Sequence, residues 1–506
     1  MSVGTQDTWE GRAYIGGWVQ LADRMPVVSP STGEPIASVA LGAPADVETA
    51  VSLAVDAQPA WALTPPGERA AVLRRAGDLL NEHRAVARRW LSDEAGSATA
   101  KAEFEIGLVI SELYQAAATA LIPFGQLLRS ELPRLSFSRR LPVGVVGVIS
   151  PFNFPAVLSA RSVAPALALG NGVVLKPDPR TTVSGGLLLA AILEAAGVPA
   201  GVFSVVPGAA AVGQALVTDP RVPVISFTGS TAAGRAIGAL GAESLKRVHL
   251  ELGGNNALVI LDDADIAAAA AAGAWGSFLH QGQICMTTGR HFVPERLAAA
   301  YERALVGHAE RLRAGPPEDG AELGPLIDAP QRDRVHDLVT RSVAAGARLA
   351  TGGTYDGLHY RPTVLAEVAP GHPASTEEIF GPVAPIVRYR SEDELVQLVN
   401  ASPYGLSVGV LSGNAMRAYE LAGQFRSGIL HINDQTVDDE AQAPFGGVGA
   451  WGPRGPERGL AVTRPISRRS PRPSGSPCRG RSPRTACSSG TPSGRGHFSM
   501  QERTRR

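Results

Sequence analysis

Between residues 143 and 252 the chain alternates short, β-rich apolar runs with helical stretches. The runs are VGVVGVIS, NGVVLKP, GVFSVVPG, VPVISFTGS and RVHLELGG. Consecutive strands separated by helices cannot pair as hairpins, so this pattern predicts a parallel sheet with crossover helices. A second alternating region covers residues 254–426. It contains NALVILDD, a helix near 296–313 and EEIFGPVAPIVRYR. After it, GILHIND reads as a strand and QAPFGGVGA as a turn. Residues 46–120 read as amphipathic helices, with Val47, Ala50, Val51 and Ala54 on one face and Asp46 in a capping position. The proline-flanked ELPRLSFSRRLP of 131–142 reads as a short exposed hairpin.

Length and composition bound the rest. A chain of 506 residues, 44% hydrophobic, is long enough for about three domains. Its zero net charge hides an asymmetry: from Trp451 onward there are thirteen arginines and two glutamates, with no lysine or aspartate. The body is therefore mildly acidic, which argues against a nucleic-acid platform. Three cysteines, Cys285, Cys478 and Cys487, make no disulfide framework and fit a reducing compartment. No basic-then-apolar leader opens the sequence, and no apolar run reaches the ~18 residues of a membrane span. The alanine run Ala267–Ala272 reads as helix. A soluble, cytoplasmic protein is expected. Residues 451–506, rich in Arg, Ser, Pro and Gly without periodicity, are expected to be disordered. Such text is also what a GC-rich gene yields when read in a shifted frame.

Four clusters carry chemistry. Cys285 in HQGQICMTTGR is flanked by turn residues. It is either a small buried hydrophobe or, in a turn near a helix start, an exposed sulfur held as thiolate. Glu251 in HLELGGNN is either a solvated strand position or a carboxylate at the ligand-binding end of a parallel sheet. Asn153 in PFNFP is either a loop residue or an amide donor held rigid between two phenylalanines, suited to an oxyanion. Lys176 ends one strand. Phe227, Thr228, Gly229 and Ser230 carry another strand into a helix whose first N–H groups can face a pyrophosphate. That last signal is weak by itself, since it is not G-x-G-x-x-G.

In order, PFNFP, LKP, FTGS, LELGGNN, GQIC, EEIFGP (377–382) and PFGG (444–447) closely resemble the aldehyde dehydrogenase superfamily over residues 10–450. KPDPRT, HQGQICMTTGRH and HINDQTVDDEAQAPFGG look most like its benzaldehyde dehydrogenases. The resemblance implies an α/β fold with a Rossmann-like NAD(P)-binding domain at 1–130 and 145–253 and an α/β catalytic domain at 254–426. It also implies a small β oligomerisation element at 131–144 and 427–450. Cys285 is implied as the nucleophile, forming a thiohemiacetal and then a thioester. Asn153 and the Cys285 N–H hold the oxyanion, and Glu251 activates the hydrolytic water. Lys176, Phe227, Thr228, Gly229, Ser230, Glu378 and Phe380 are implied to bind NAD. Phe152, Phe154, Ile284, Met286 and Phe445 are implied to line a pocket for a flat aromatic aldehyde. No metal, membrane or nucleic-acid partner is expected.

Two positions depart from the pattern. Pro179 stands where NAD-preferring relatives often carry a glutamate that grips the ribose 2′-hydroxyl, so NADP is admitted as well. After Ala450 the family's final helix and strand give way to Trp451-Gly452-Pro453, so weakened homo-oligomerisation is expected. The competing readings are a CoA-acylating semialdehyde dehydrogenase, against which Glu251 counts, and a catalytically silent member with a structural or binding role. A nucleic-acid role for the arginine-rich tail is a third.

Overall fold

The computed structural model describes residues 8–123 and 125–450. The expectations about the 451–506 tail, its two cysteines and the missing final strand lie outside these residues.

Two seven-stranded sheets form the frame. In the first, five parallel strands run Arg247–Glu251, Val224–Thr228, Val145–Ile149, Gly172–Lys176 and Phe203–Val205 across the sheet. Two antiparallel strands, Arg12–Ile15 and Trp18–Gln20, extend it beyond Phe203–Val205. These strands are apolar on both faces because both are covered. Val146, Val148, Val173 and Leu175 face the helices Pro66–Glu82, Thr99–Thr119, Pro155–Ala168 and Leu188–Ala196. Val145, Ile149 and Val174 face Pro44–Leu63 and Ala210–Thr218. The chain winds outward from Val145–Ile149 in one direction, then returns to add Val224–Thr228 on its other side. That reversal opens a crevice at the carboxyl ends of the strands, where such sheets take ligands.

The second sheet is built on Asn256–Ile260 and Thr288–Pro294, paired in parallel, with Thr363–Ala366, Val383–Tyr389, Ser407–Leu411 and Ile429–Ile432 also parallel and Arg348–Thr351 antiparallel at one edge. It too is apolar on both faces, with Val259 and Leu258 in different core clusters.

Several local expectations shift. The first long helix starts at Pro44, one position after Ala43, because proline is preorganised for a helix's first turn. Asp46 is therefore not the cap residue but the third helical residue, and its carboxylate accepts the Ala43 N–H at 2.7 Å. The hairpin is real but earlier: Gly125–Leu128 pairs with Ser136–Arg139. Pro133 sits in its turn, not at its flank, which is where a residue without an N–H is best tolerated. Ile429–Ile432 is an edge strand of the second sheet. No helix among the described residues is long and apolar enough to cross a membrane.

Candidate active site

Cys285 lies between a tight helical turn, Leu279–Gly282, and the strand Thr288–Pro294. The turn is strained. His280, Gln281 and Gly282 all have positive φ, at 48°, 55° and 68°, and such runs persist only where the surroundings enforce them. Here they do. Gln281 Nε2 donates to the carbonyls of Gly96 and Pro325, at 3.1 and 2.8 Å. Gln283 Oε1 accepts the Ile327 N–H at 3.0 Å. Asn256 Nδ2 donates to the carbonyls of Cys285 and Thr287, at 2.8 and 2.9 Å, while its Oδ1 accepts the Ser407 N–H. Thr436 Oγ1 donates to the Met286 carbonyl at 2.7 Å. Gly254 makes room for this: a Cβ there would stand 2.5 Å from the Cys285 carbonyl oxygen. With that carbonyl tied back, the Cys285 N–H has no acceptor among the described residues.

The sulfur is half-buried, not exposed as its turn-rich flanks suggest. Burial pushes the thiol up to about 12, and the carboxylates of Glu251 and Glu378 push the same way while Arg161 opposes them. The protein alone therefore keeps Cys285 a thiol, contrary to the expectation of a thiolate. The reason is burial beside two carboxylates; Cys285 follows the helical turn Leu279–Gly282 and does not begin a helix.

Asn153 is buried. One of its two amide hydrogens goes to the Gln283 carbonyl at 2.7 Å; the second is left for a ligand. Its own carbonyl accepts from Lys101 Nζ at 2.7 Å. Lys101, 1% exposed, also bonds Ser97 and the Glu105 carboxylate, the latter at 2.6 Å. The other oxygen of Glu105 accepts the N–H groups of Ala156 and Val157, at the start of helix Pro155–Ala168. One buried ion pair thus fixes both Asn153 and the helix that follows it.

A cleft opens from Cys285 and Asn153. Its walls include Phe104, Leu108, Phe154, Val157, Leu158 and Phe445, with Ile284 and Met286 beside the sulfur. Arg161, Asp438 and Asp439 are its charged members. Phe152 is not brought into this group. Its ring stands edge-on to Phe380 at 6.0 Å and under the Arg180 guanidinium at 4.3 Å.

The remaining candidates gather at the carboxyl ends of the first sheet. Glu251 and Thr228 are register partners on neighbouring strands. Glu251 is half-buried, its Oε1 2.6 Å from His249 Nε2, so it is not a plainly solvated edge residue. Ser230 caps the helix Thr231–Glu243 by accepting the Ala233 N–H at 3.3 Å. No acidic residue stands in that helix's first turn. The Gly229 N–H donates to the Glu251 carbonyl, and a Cβ on Gly229 would stand 2.5 Å from the Phe227 ring. Lys176, buried at the end of its strand, has its pKa lowered by burial, with Asp178 opposing. Glu378 accepts the Gly254 N–H at 2.9 Å, and burial pushes its carboxyl up to about 7.

Sequence reasoning missed Lys101, Glu105, Arg161, Asn256 and Asp439. Lys101 and Glu105 are four apart, a spacing that reads as a surface pair. Only the apolar residues around them hinted at burial.

Two outcomes are expected. Lys101→Met strands Glu105 without its cation and should lower stability by about 3–5 kcal/mol, read as the shift in a denaturant midpoint; a change below about 1 kcal/mol would contradict a shared buried pair. Alkylation of the free protein at Cys285 by iodoacetamide should rise roughly tenfold per pH unit from about pH 7 to about pH 10, as the small thiolate fraction grows. A plateau near neutral pH would show a thiolate already formed.

A family model described as the aldehyde dehydrogenase family matches residues 18–462. The chain is 54% identical over 450 residues to a vanillin dehydrogenase of an Amycolatopsis species, covering 88% of this chain and 93% of that protein. It is 44% identical over 453 residues to a benzaldehyde dehydrogenase [NAD(+)] of Pseudomonas putida, covering 89% and 93%. Among solved structures, a salicylaldehyde dehydrogenase from Pseudomonas putida G7 complexed with salicylaldehyde aligns with a TM-score of 0.85 and 32% identity, over 87% of this chain and 93% of that one. The sulfur seated beside a spare amide at the foot of an aromatic cleft, and these likenesses along most of its length, agree: the chain belongs to the aldehyde dehydrogenase family.

Proposed function

We propose that the protein oxidises an aromatic aldehyde to its carboxylic acid with NAD as the oxidant. The observation that carries this reading is Cys285 itself: its sulfur closes a cleft of aromatic and aliphatic side chains, and its own N–H and the second Asn153 amide hydrogen are both uncommitted. A flat ring fits between such walls, and its carbonyl carbon comes to the sulfur.

The crevice of the first sheet suits a dinucleotide. The N-terminus of helix Thr231–Glu243 offers backbone N–H groups with no acidic residue in its first turn, which suits a pyrophosphate. Lys176, at the end of the strand two places along the sheet from Val224–Thr228, suits a ribose hydroxyl, and Glu378, whose charge acts on Cys285, suits the second ribose, with Phe380 for the ring. Bound NAD supplies the hydride acceptor. Pro179 places no carboxylate against a 2′-phosphate, so NADP is admitted too. In domain terms, 1–130 with 145–253 serves the cofactor and 254–426 serves catalysis.

In the reaction, Cys285 adds to the aldehyde carbon as its thiolate, giving a thiohemiacetal. Asn153 and the Cys285 N–H hold the oxygen as it gains charge; one such donor is worth roughly 3–4 kcal/mol in comparable sites. Once the carbon has lost its hydride, a thioester remains on Cys285. Glu251 takes a proton from water, which attacks the thioester and frees the acid. Burial and the Glu251 and Glu378 carboxylates raise the thiol's pKa, so Cys285 gives up its proton as it attacks.

The exposed hairpin, with the 427–450 segment, is the element we assign to a homo-oligomer contact. Leu127, Leu135 and Phe137 are 77%, 74% and 58% exposed, more apolar surface than a single copy leaves to water without reason. We place the protein in the cytoplasm, with no nucleic-acid or membrane partner.

With benzaldehyde and NAD, formation of reduced cofactor should fall by about a thousandfold or more in Cys285→Ala. Glu251→Gln should keep the first turnover and lose steady state, showing a burst. Equal slowing of both phases would remove Glu251 from the hydrolytic step. Phe137→Asp should shift the sedimentation profile toward smaller species; an unchanged profile would free the hairpin of this role.

A further inference from the structure

The strand Arg247–Glu251 carries two titratable side chains on one face. Val248 and Leu250 pack toward helix Thr231–Glu243. His249 and Glu251 alternate onto the opposite face. The neighbouring strand sets Ser226 beside His249 and Thr228 beside Glu251. Ser226 Oγ lies 2.9 Å from Ser162 Oγ of helix Pro155–Ala168, so this face looks toward the helix that walls the cleft. There His249 Nε2 stands 2.6 Å from Glu251 Oε1.

A histidine and a glutamate two apart on an edge strand ordinarily make a solvated pair of little consequence. This pair is placed differently. Its side chains are only 25% and 14% exposed. The Glu251 carboxylate acts electrostatically on Cys285 and on Arg161, both in the cleft lining, so it is directed inward. The working form of a general base is the ionised carboxylate, which has only acceptors. A contact this short between it and a ring nitrogen then needs the hydrogen on His249 Nε2, and such charge-assisted bonds are the strong ones. One oxygen of Glu251 is thereby fixed, which sets the direction in which the other faces.

We infer that His249 is the positioning residue of the hydrolytic half-reaction, its Nε2–H holding the Glu251 carboxylate turned toward the thioester on Cys285. This rests on the aldehyde-oxidising reading above, with Glu251 as the base. In that step the water oxygen bonds to the acyl carbon and Glu251 takes the water's proton. The carbon–sulfur bond breaks, its electron pair returning to Cys285. His249 keeps its own hydrogen throughout and touches no reacting atom. Hydride loss makes no use of Glu251 and is indifferent to His249.

The test separates the two half-reactions with benzaldehyde and NAD. It reads the burst of reduced cofactor, the steady state that follows, and the benzoyl adduct on Cys285 by mass spectrometry after an acid quench. His249→Ala should keep the burst rate and lower the steady-state rate about tenfold to a hundredfold, with the adduct accumulating. His249→Gln, which keeps an N–H donor of similar reach, should recover most of the steady state. The burst amplitude counts folded sites, so partial loss of fold leaves the ratio of the two rates unchanged. His249→Leu fills the space without a donor and gives the same comparison should the alanine variant not fold. Equal slowing of both phases, an unchanged steady state, or a glutamine variant as slow as the alanine one overturns the inference. A burst in Glu251→Gln under the same conditions then leaves the aldehyde-oxidising reading standing. No reduced cofactor from any aldehyde, in the wild type as well, overturns both.

Discussion

The buried pair of Lys101 and Glu105 is the constraint on which the site depends. A lysine and a glutamate cut off from water persist only when every remaining donor and acceptor is used. That condition is met by the Asn153 carbonyl, the Ser97 hydroxyl and the first amides of helix Pro155–Ala168. The pair therefore dictates where that helix begins. The helix in turn carries Val157, Leu158 and Arg161 to one wall of the cleft. The Lys101 ammonium also lies 4.1 Å from the centre of the Phe154 ring, so the aromatic wall is set by the same charge.

Two sheets divide the work. The first offers the carboxyl ends of parallel strands, where short loops can differ without disturbing the core. The second delivers Cys285 at the amino end of one of its central strands. Glycines set the spacing between them. Gly254 lets the Cys285 carbonyl approach, and a Cβ at Gly253 would overlap the Glu378 carboxylate. The sequence LELGGNN thus supplies a carboxylate, two close approaches and, in Asn256, the amide that turns the Cys285 peptide outward.

Most of the architecture was readable because strand and helix periods alternate so regularly after residue 143. The boundaries that moved did so for local reasons, such as Pro44 starting a helix early and Pro133 sitting inside a turn. The motif residues Cys285, Glu251 and Asn153 were legible as candidates from their neighbours alone. Their ambiguity was resolved only by order along the chain and resemblance. What was not legible was the support. Lys101 and Arg161 lie on helices whose patterns look ordinary, and two of their partners, Asn153 and Asp439, are remote in the chain. Phe152 packs against Phe380 and Arg180 and not in the cleft lining, because a motif fixes position along the chain but not the direction of a side chain. The state of the Cys285 thiol was misread because turn residues imply exposure, whereas this turn is packed beneath Gly96 and Pro325.

The fastenings of the Cys285 turn also say when in the life of the chain the site comes into being. Gln281 bonds to Gly96 and Pro325, Asn256 to Ser407, and Thr436 to Met286. During synthesis, a chain that has emerged only as far as its cysteine has none of the last three anchors. The strained left-handed turn then lacks the fastenings that hold it. A half-made polypeptide therefore displays an ordinary thiol, and the reactive arrangement arises only after nearly all of the catalytic sheet has left the ribosome.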